Sequence, residues 1–502
     1  MFINEVKQQI RNTVQVYLKK NEYGNYRIPP VSQRPVFLIG PPGIGKSAIM
    51  EQIAQEMGIA LVSYSMTHHT RQSALGLPVL EKKTFDGQEY TVCRYSMSEI
   101  IGAIHQTMEE SGIREGILFL DEINCISETL MPSMLQFLQY KRFGEHKVPP
   151  GWIVVTAGNP PEYNRSARNL DIVTLDRLKV IEVDSDYDAW RSYASANHIH
   201  PAVTGYLDTR RDDFYNVEID AGEKSYVTAR GWEDLSQILY LTEEEHLPVD
   251  ENLVTQYIRH RDIAREFTLY YALFNKYRML YEHQDLRKGT LSDDLLRRLR
   301  KARFDEKTAV VHMLLDGPLE AIRNVTDDRD VLSLLLPLLK QVRQECADGS
   351  DCMAALDRKI LYQQEFLRKA VSAHSLSREK KEQTLAVEHL LHQLKKNVLL
   401  EEGKTSETPS EALRSAFNRL AADLRDRGQA VSARLESALE MIETLYGADR
   451  EMLLAVTELT ADPKSAKFIS NFGSLLYDKY SEALLLDERR IRIEERLEKL
   501  SL

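Results

Sequence analysis

The stretch "PVFLIGPPGIGKS", residues 35–47, decides the fold. Its opening run is apolar enough for a strand buried on both faces. The run ends in Gly40-Pro41-Pro42-Gly43-Ile44-Gly45-Lys46-Ser47, and a helical pattern follows over 47–57. Gly43 and Gly45 let backbone N–H groups close around phosphate oxygens with no Cβ in the way, and the helix behind them points its positive dipole end at the same charge. Lys46 is then placed to reach the β- and γ-phosphates of a nucleotide, and the Ser47 hydroxyl to ligate magnesium. A strand before and a helix after is the context this spacing needs. The plain alternative is a Gly/Pro turn with a solvated lysine, which would require neither.

Working outward, "LFLDEIN" (118–124) spends three core-grade residues to deliver the acid pair Asp121 and Glu122. In a doubly wound sheet, ligands lie beyond the carboxyl ends of the strands, so a buried strand ending in carboxylates brings them to the nucleotide. Asp121 is expected to hold the magnesium ion, and Glu122 to orient and activate the attacking water. A third apolar strand, "GWIVVTAGN" (151–159), ends in Asn159, whose amide could hold that water from the opposite side. With "ALVSYS" (60–65) and "LKVIEVD" (178–184), and helices such as 129–140 between, the first 184 residues read as an α/β doubly wound parallel sheet.

The segment between "SYSMTHHT" and "GILFLDEI" (116–123) is too long for a plain crossover. Within it, "VLEKKTFDGQEYTVCRY" (79–95) carries Asp-Gly between alternating apolar residues, a strong hairpin signal. "KRFGEHKVPPGW" (141–152) reads as a second hairpin. His68 and His69 stand alone and suit a polar loop better than a metal site.

From Asp186 onward helical periodicity takes over. Helices are expected at 186–197, 229–245 and 250–282, then in long segments beyond 291, with "VEHLLHQLKK" (387–396) keeping one apolar stripe. "EEGKTSETPSE" (401–411) is the best interior linker, and "CADGSDC" (346–352) a shorter break. "RRLRKAR" (297–303) is flanked by acids and reads as a solvated helix face, and "DERRIRIEERLEKL" (487–500) as a partner or bundle helix.

The chain has 502 residues, enough for several cores, and a net charge of −11, which argues against coating nucleic acid. Cys93, Cys125, Cys346 and Cys352 are scattered without CxxC spacing, which predicts free buried thiols in a reducing compartment. Phe2, Val6, Ile10, Val14 and Leu18 recur like the apolar stripe of a soluble helix rather than a signal peptide. "VLSLLLPLL" (331–339) is too short to span a bilayer, so the expected location is cytoplasmic.

"GPPGIGKS", "LFLDEIN", "TAGNPPE", "TLDRLKVIEV" and "VTARGWEDLSQIL" together resemble the AAA+ ATPases, above all the MoxR type of the helix-2-insert clade, related to magnesium-chelatase ATPase subunits. The resemblance covers about the first 260 residues. It implies a P-loop AAA+ domain (1–184, with the insert hairpin at about 66–98), a helical lid (185–265), a helical region (266–400), the 401–411 linker and a C-terminal helical region (412–502). It further implies ATP and Mg2+ as ligands, a self-assembled ring, usually a hexamer, and a protein client or adaptor, often with a von Willebrand A domain. Carried across, Asn159 becomes the sensor-1 residue, Arg177 the arginine finger offered to a neighbouring subunit, and Arg230 the sensor-2 arginine. Ala229 stands where the family usually has proline, and Arg165 and Arg168 compete with Arg177. An ATP-gated assembly scaffold with little turnover is the alternative, and a nucleic-acid remodelling ATPase a more distant one.

Overall fold

The apolar run before the glycine-rich turn is a central strand, β1 (Val36–Ile39), hydrogen-bonded on both sides. In this computed structural model, residues 1–68, 74, 76–220, 223–283, 297, 299–347, 351–401 and 408–482 are described. They fall into two units, Met1–Asp186 with Arg358–Glu388, and Tyr187–Asp357 with His389–Leu502.

In the first unit the element order is α1 (Ile3–Tyr17), β1, α2 (Lys46–Met57), β2 (Ala60–Ser65), β3 (Pro78–Phe85), β4 (Gln88–Tyr95), α3 (Glu99–Ser111), β5 (Gly116–Asp121), α4 (Met131–Tyr140), β6 (Arg142–Phe143), β7 (His146–Lys147), β8 (Trp152–Gly158), α5 (Ile172–Leu175) and β9 (Lys179–Glu182). Five strands form one parallel sheet in the order β2-β5-β8-β1-β9. Strand side chains alternate between faces, and the two cores divide accordingly. Val36, Leu38, Ile117, Phe119, Ile153 and Val155 pack with Val6, Ile10 and Val14 of α1 and Ile49, Met50 and Ile53 of α2. Phe37, Leu118, Leu120 and Val154 pack with Ile100, Ile101 and Ile104 of α3 and Met134, Phe137 and Leu138 of α4. Burial on both faces is why these strands read as continuous apolar runs.

Both expected hairpins form. In β3–β4 the turn residues Asp86 (φ 49°) and Gly87 (φ 81°) are left-handed, as a tight two-residue hairpin requires. The short pair β6–β7 turns at Gly144.

The second unit is mostly helical: α6 (Tyr187–Ala196), α7 (Pro201–Thr209), a hairpin of β10 (Asn216–Asp220) and β11 (Glu223–Val227), α8 (Ala229–Glu244), α9 (Glu251–Tyr257), α10 (Arg261–His283), α11 (Phe304–Ala347), α12 (Cys352–Ser372), α13 (Arg378–Glu401), α14 (Pro409–Tyr446), α15 (Arg450–Ala461) and α16 (Pro463–Phe472). Tyr206, Trp232, Phe267, Phe274, Leu314, Leu435 and Leu439 lie in its core. Inside that core sits an ionic cluster. Arg191 Nε meets Asp208 Oδ1 at 3.1 Å, Arg191 Nη2 lies 3.5 Å from Glu458 Oε1, and fully buried His312 lies 2.9 Å from Glu458 and 3.5 Å from Asp208. Residues 358–388, from α12 and α13, group instead with the α/β unit: Ala373 is buried in its core and its carbonyl accepts the Leu61 N–H of edge strand β2 at 3.1 Å.

Three expectations change. The single helix over 250–282 breaks, because Ile258 is fully buried in an extended conformation and His260 Nδ1 caps the start of α10. The tertiary pocket for Ile258 overrides local helix preference. Cys346 and Cys352 are not free thiols but a disulfide, since the end of α11 and start of α12 bring their Cα atoms within 5.1 Å. Cys93 and Cys125 are free, the first exposed and the second half-buried. The strand expected over 116–123 stops at Asp121, because Glu122 turns left-handed (φ 56°) and Ile123–Cys125 form a 3-10 turn. His69, most of the 401–411 linker, Arg298 of the basic run and the segment 487–500 lie outside the described residues. Among the described residues, no helix is long and apolar enough to cross a membrane, and no group of three or more His, Cys, Asp or Glu side chains could hold a metal ion.

Candidate functional site

Parallel strands ending side by side bring their C-terminal residues together, so the polar residues that close β1, β2, β5 and β8 meet at one rim. Beyond β1, Gly43 (φ 74°) and Gly45 (φ 93°) curl the chain into the start of α2, and Gly40 packs so closely on the Val183 carbonyl that a Cβ has no room. The first amides of α2 have no intrahelical acceptors and face the turn built by Pro41, Pro42 and Ile44. Lys46, only 8% exposed, folds its ammonium back onto the loop, donating to Gly40 O at 2.8 Å, Pro41 O at 2.7 Å and Asn159 Oδ1 at 2.8 Å.

Ser47 Oγ donates to Asp121 Oδ2 at 2.7 Å, so the glycine-rich turn and the acid-bearing strand touch. The other Asp121 oxygen accepts the Glu122 N–H at 2.9 Å. That bond helps hold Glu122 in its left-handed conformation, a strained one for a side chain with a Cβ. Glu122 Oε2 accepts from Ser65 Oγ at 2.9 Å, at the end of β2, and from Thr67 Oγ1 at 3.2 Å, in the 3-10 turn just past it.

Asn159 leaves β8 with its side chain on Lys46 and its backbone carbonyl bonded by Asn124 Nδ2 at 2.8 Å. Sequence reading brings Lys46, Ser47, Asp121, Glu122 and Asn159 into one place, and the structure joins them by direct hydrogen bonds or adjacency. Asn124, Ser65 and Thr67 were not singled out, although each is a polar residue in or just past an apolar strand end, the same signal that marked Asp121.

The candidate fingers are arranged differently from one another. Arg168 pairs with Glu128 at 2.8 Å, and its backbone is bonded on both sides to Asn124. Arg165 is exposed on the same loop, and Arg177 is exposed after α5, where its N–H bonds Thr174 O. Arg230 lies exposed in the first turn of α8, in the helical unit, behind the Thr228 cap.

The residues fit a magnesium nucleotide. Gly45 leaves open backbone at the start of a helix, and a hydroxyl and a carboxylate already sit at hydrogen-bonding distance, a donor set magnesium accepts with water filling the other positions. Ser47 and Asp121 would hold the ion.

Residues 36–168 match the model of the ATPase family associated with various cellular activities (AAA). The matched span runs from β1 to the loop carrying Arg168. A search of curated proteins finds no match to the chain. The parallel sheet, the AAA domain and the mostly helical remainder make this an AAA+ fold, and the domain indicates an ATPase of that general type.

Proposed function

We propose that the chain hydrolyses ATP with Mg2+ at the β-strand rim, as a MoxR-type AAA+ ring ATPase that remodels or matures a protein client. A homo-oligomeric ring, hexameric as is usual in the family this chain resembles, a von Willebrand A domain partner and a cytoplasmic location complete the reading. The observation that carries it is the 2.7 Å bond between Ser47 and Asp121, residues 74 positions apart. Nothing in a solvated Gly/Pro turn calls for a strand-end carboxylate against its serine.

Magnesium, when bound, supplies charge that offsets the phosphates and polarises the γ-phosphoryl group. The protein's own part follows from geometry. Lys46 turns from its carbonyl and amide acceptors to phosphate oxygens, which as anionic acceptors bind an ammonium more strongly than neutral ones. Glu122 Oε2, kept in place by Ser65 and Thr67, orients the attacking water and accepts its proton. Asn159, released by Lys46, donates from its amide on the other side of that water. Arg177, with Arg165 and Arg168 as competitors, reaches a neighbour's γ-phosphate, and Arg230 is the lid's arginine for the same nucleotide.

Steady-state turnover of wild type against Glu122→Gln tests the reading. Hydrolysis by wild type that collapses in the variant supports it, whereas equal idleness with ATP still driving assembly favours a scaffold. Mixing Arg177→Ala chains with Glu122→Gln chains tests the finger, since a finger acting between subunits restores activity in mixed rings. A pull-down with the Glu122→Gln chain as bait tests for the client and the von Willebrand A domain partner.

A further inference from the structure

Asn124 sits two residues past Glu122, in the 3-10 turn Ile123–Cys125, and is 1% exposed. Its Nδ2 donates to Asn159 O at 2.8 Å and to Arg168 O at 3.3 Å. Its backbone carbonyl accepts the Arg168 N–H at 3.0 Å. Its Oδ1 occupies the space that a Cβ on Gly158 would need, so the end of β8 is shaped to seat this side chain. Next along the turn, Cys125 Sγ accepts from Asn164 Nδ2 at 3.3 Å, and Cys125 N–H bonds Glu122 O at 2.9 Å.

We propose that Asn124 is a positioning residue that locks the Glu122 turn, the Asn159 amide and the arginine-bearing loop 160–168 into one frame, setting the rate of hydrolysis rather than the affinity for nucleotide. The inference rests on the ATP-hydrolysis reading above. Its chemistry is specific to a carboxamide. The two carbonyls it reaches can only accept, so the residue between them must supply two N–H donors at short reach. A carboxylate of the same shape faces both part-buried carbonyls with no proton to give, and adds repulsion where there was a bond. Asn159 and Arg168 then lose their shared anchor, while the glycine-rich turn, held through Lys46 and Ser47, keeps its own contacts. Misplacing groups around a reacting centre by about 1 Å costs rate steeply.

The test uses the full chain in three forms: wild type, Asn124→Asp, and the pair Asn124→Ala with Gly158→Ala, in which the alanine methyl at 158 refills the space the amide vacates. Turnover, binding of a fluorescent ADP analogue, thermal unfolding and amide hydrogen exchange are measured on each. In Asn124→Asp, kcat is expected to fall about tenfold or more with KM and ADP affinity within about threefold. Exchange across 159–168 is expected to rise about tenfold or more while that of 40–47 stays as in wild type. The paired variant is expected to melt within a few degrees of wild type yet keep the low kcat and fast loop exchange, which a merely space-filling role would not produce. Wild-type kcat in either folded variant, or unchanged exchange across the loop, overturns the inference alone. A wild type that binds nucleotide and never turns it over overturns the functional reading and this inference together, and is told apart by the wild-type assay.

Discussion

Lys46 in the α/β unit and Arg191 in the helical unit are both cations drawn out of water, and their surroundings differ in kind. Arg191 is met by Asp208, Glu458 and Ser195, and the neighbouring His312 shares both carboxylates. Burial alone would lower the basicity of Arg191 and His312, but the carboxylates outweigh it and raise both. Burial would likewise raise the Glu458 pKa, yet the charges of His312, Arg191 and Arg323 pull it down to about 2. Lys46 instead rests on Gly40 O, Pro41 O and Asn159 Oδ1, all neutral acceptors. Charges that satisfy one another inside a core hold helices together; a cation folded onto loop carbonyls and a strand-end amide lies where the glycine-rich turn would receive an anion.

The largest effect that could break this contrast is catalytic. Lys46→Ala should weaken nucleotide binding and, like Glu122→Gln, reduce turnover by about a thousandfold or more with melting nearly unchanged. If either variant unfolds the α/β unit instead, the rim is a structural cluster like the helical one. Next comes Arg191→Met, which leaves His312 as the cation shared by Asp208 and Glu458 in this cluster and should cost about 3 kcal/mol in denaturant unfolding of the helical unit while leaving nucleotide affinity alone.

A third, smaller effect has the opposite sign. Lys141 is nearly buried at the end of α4, with its ammonium 3.5 Å from Gln33 Oε1, and burial depresses its pKa to about 8. The unfolded chain therefore holds this proton more tightly, and stability of the α/β unit should rise as pH increases from about 8 to 10. Lys141→Met should remove that slope and raise stability at neutral pH by about 2 kcal/mol. The helical unit should behave otherwise. Glu458, with its lowered pKa, stabilises above its unfolded value near 4.5 and loses that contribution as pH falls. His312, with its raised pKa, stabilises below about 6.5 and loses its share as pH rises through its folded value. Following both unfolding transitions against pH should thus show the α/β unit gaining stability between about 8 and 10, and the helical unit losing the His312 share above about 6.5. At the small end, Arg427→Ala, which removes half-exposed pairs to Asp328 and Asp423, should change stability by only about 0.5 kcal/mol.

The features legible in the sequence are those that depend on neighbours in sequence. The glycine spacing, the alternation within strands and the Asp86-Gly87 turn are local, and a parallel sheet turns locally legible strand ends into a shared rim. Asp121, Glu122 and Asn159 were visible for that reason. Asn124, Ser65 and Thr67 needed the register, in which Ser65 lies beside Asp121, and the closeness of Gly158 to Asn124. The break at Ile258 depends on a pocket made by distant residues, and the Cys346–Cys352 bond on how two helices meet. The Arg191 cluster draws on α6, α7, α11 and α15, so periodicity alone showed only polar interruptions in helices.

Strand β2 is an edge of the sheet, and its Leu61 amide is closed off by Ala373, more than 300 positions along the chain. A ribosome making this protein must therefore deliver both helical hairpin arms, through residue 388, before the nucleotide-binding half is complete. Until then the nascent β2 leaves its outward Leu61 amide without that partner, a docking place for a chaperone or a sticky contact between unfinished chains. Shortened expression products ending near residue 265 would carry that defect permanently.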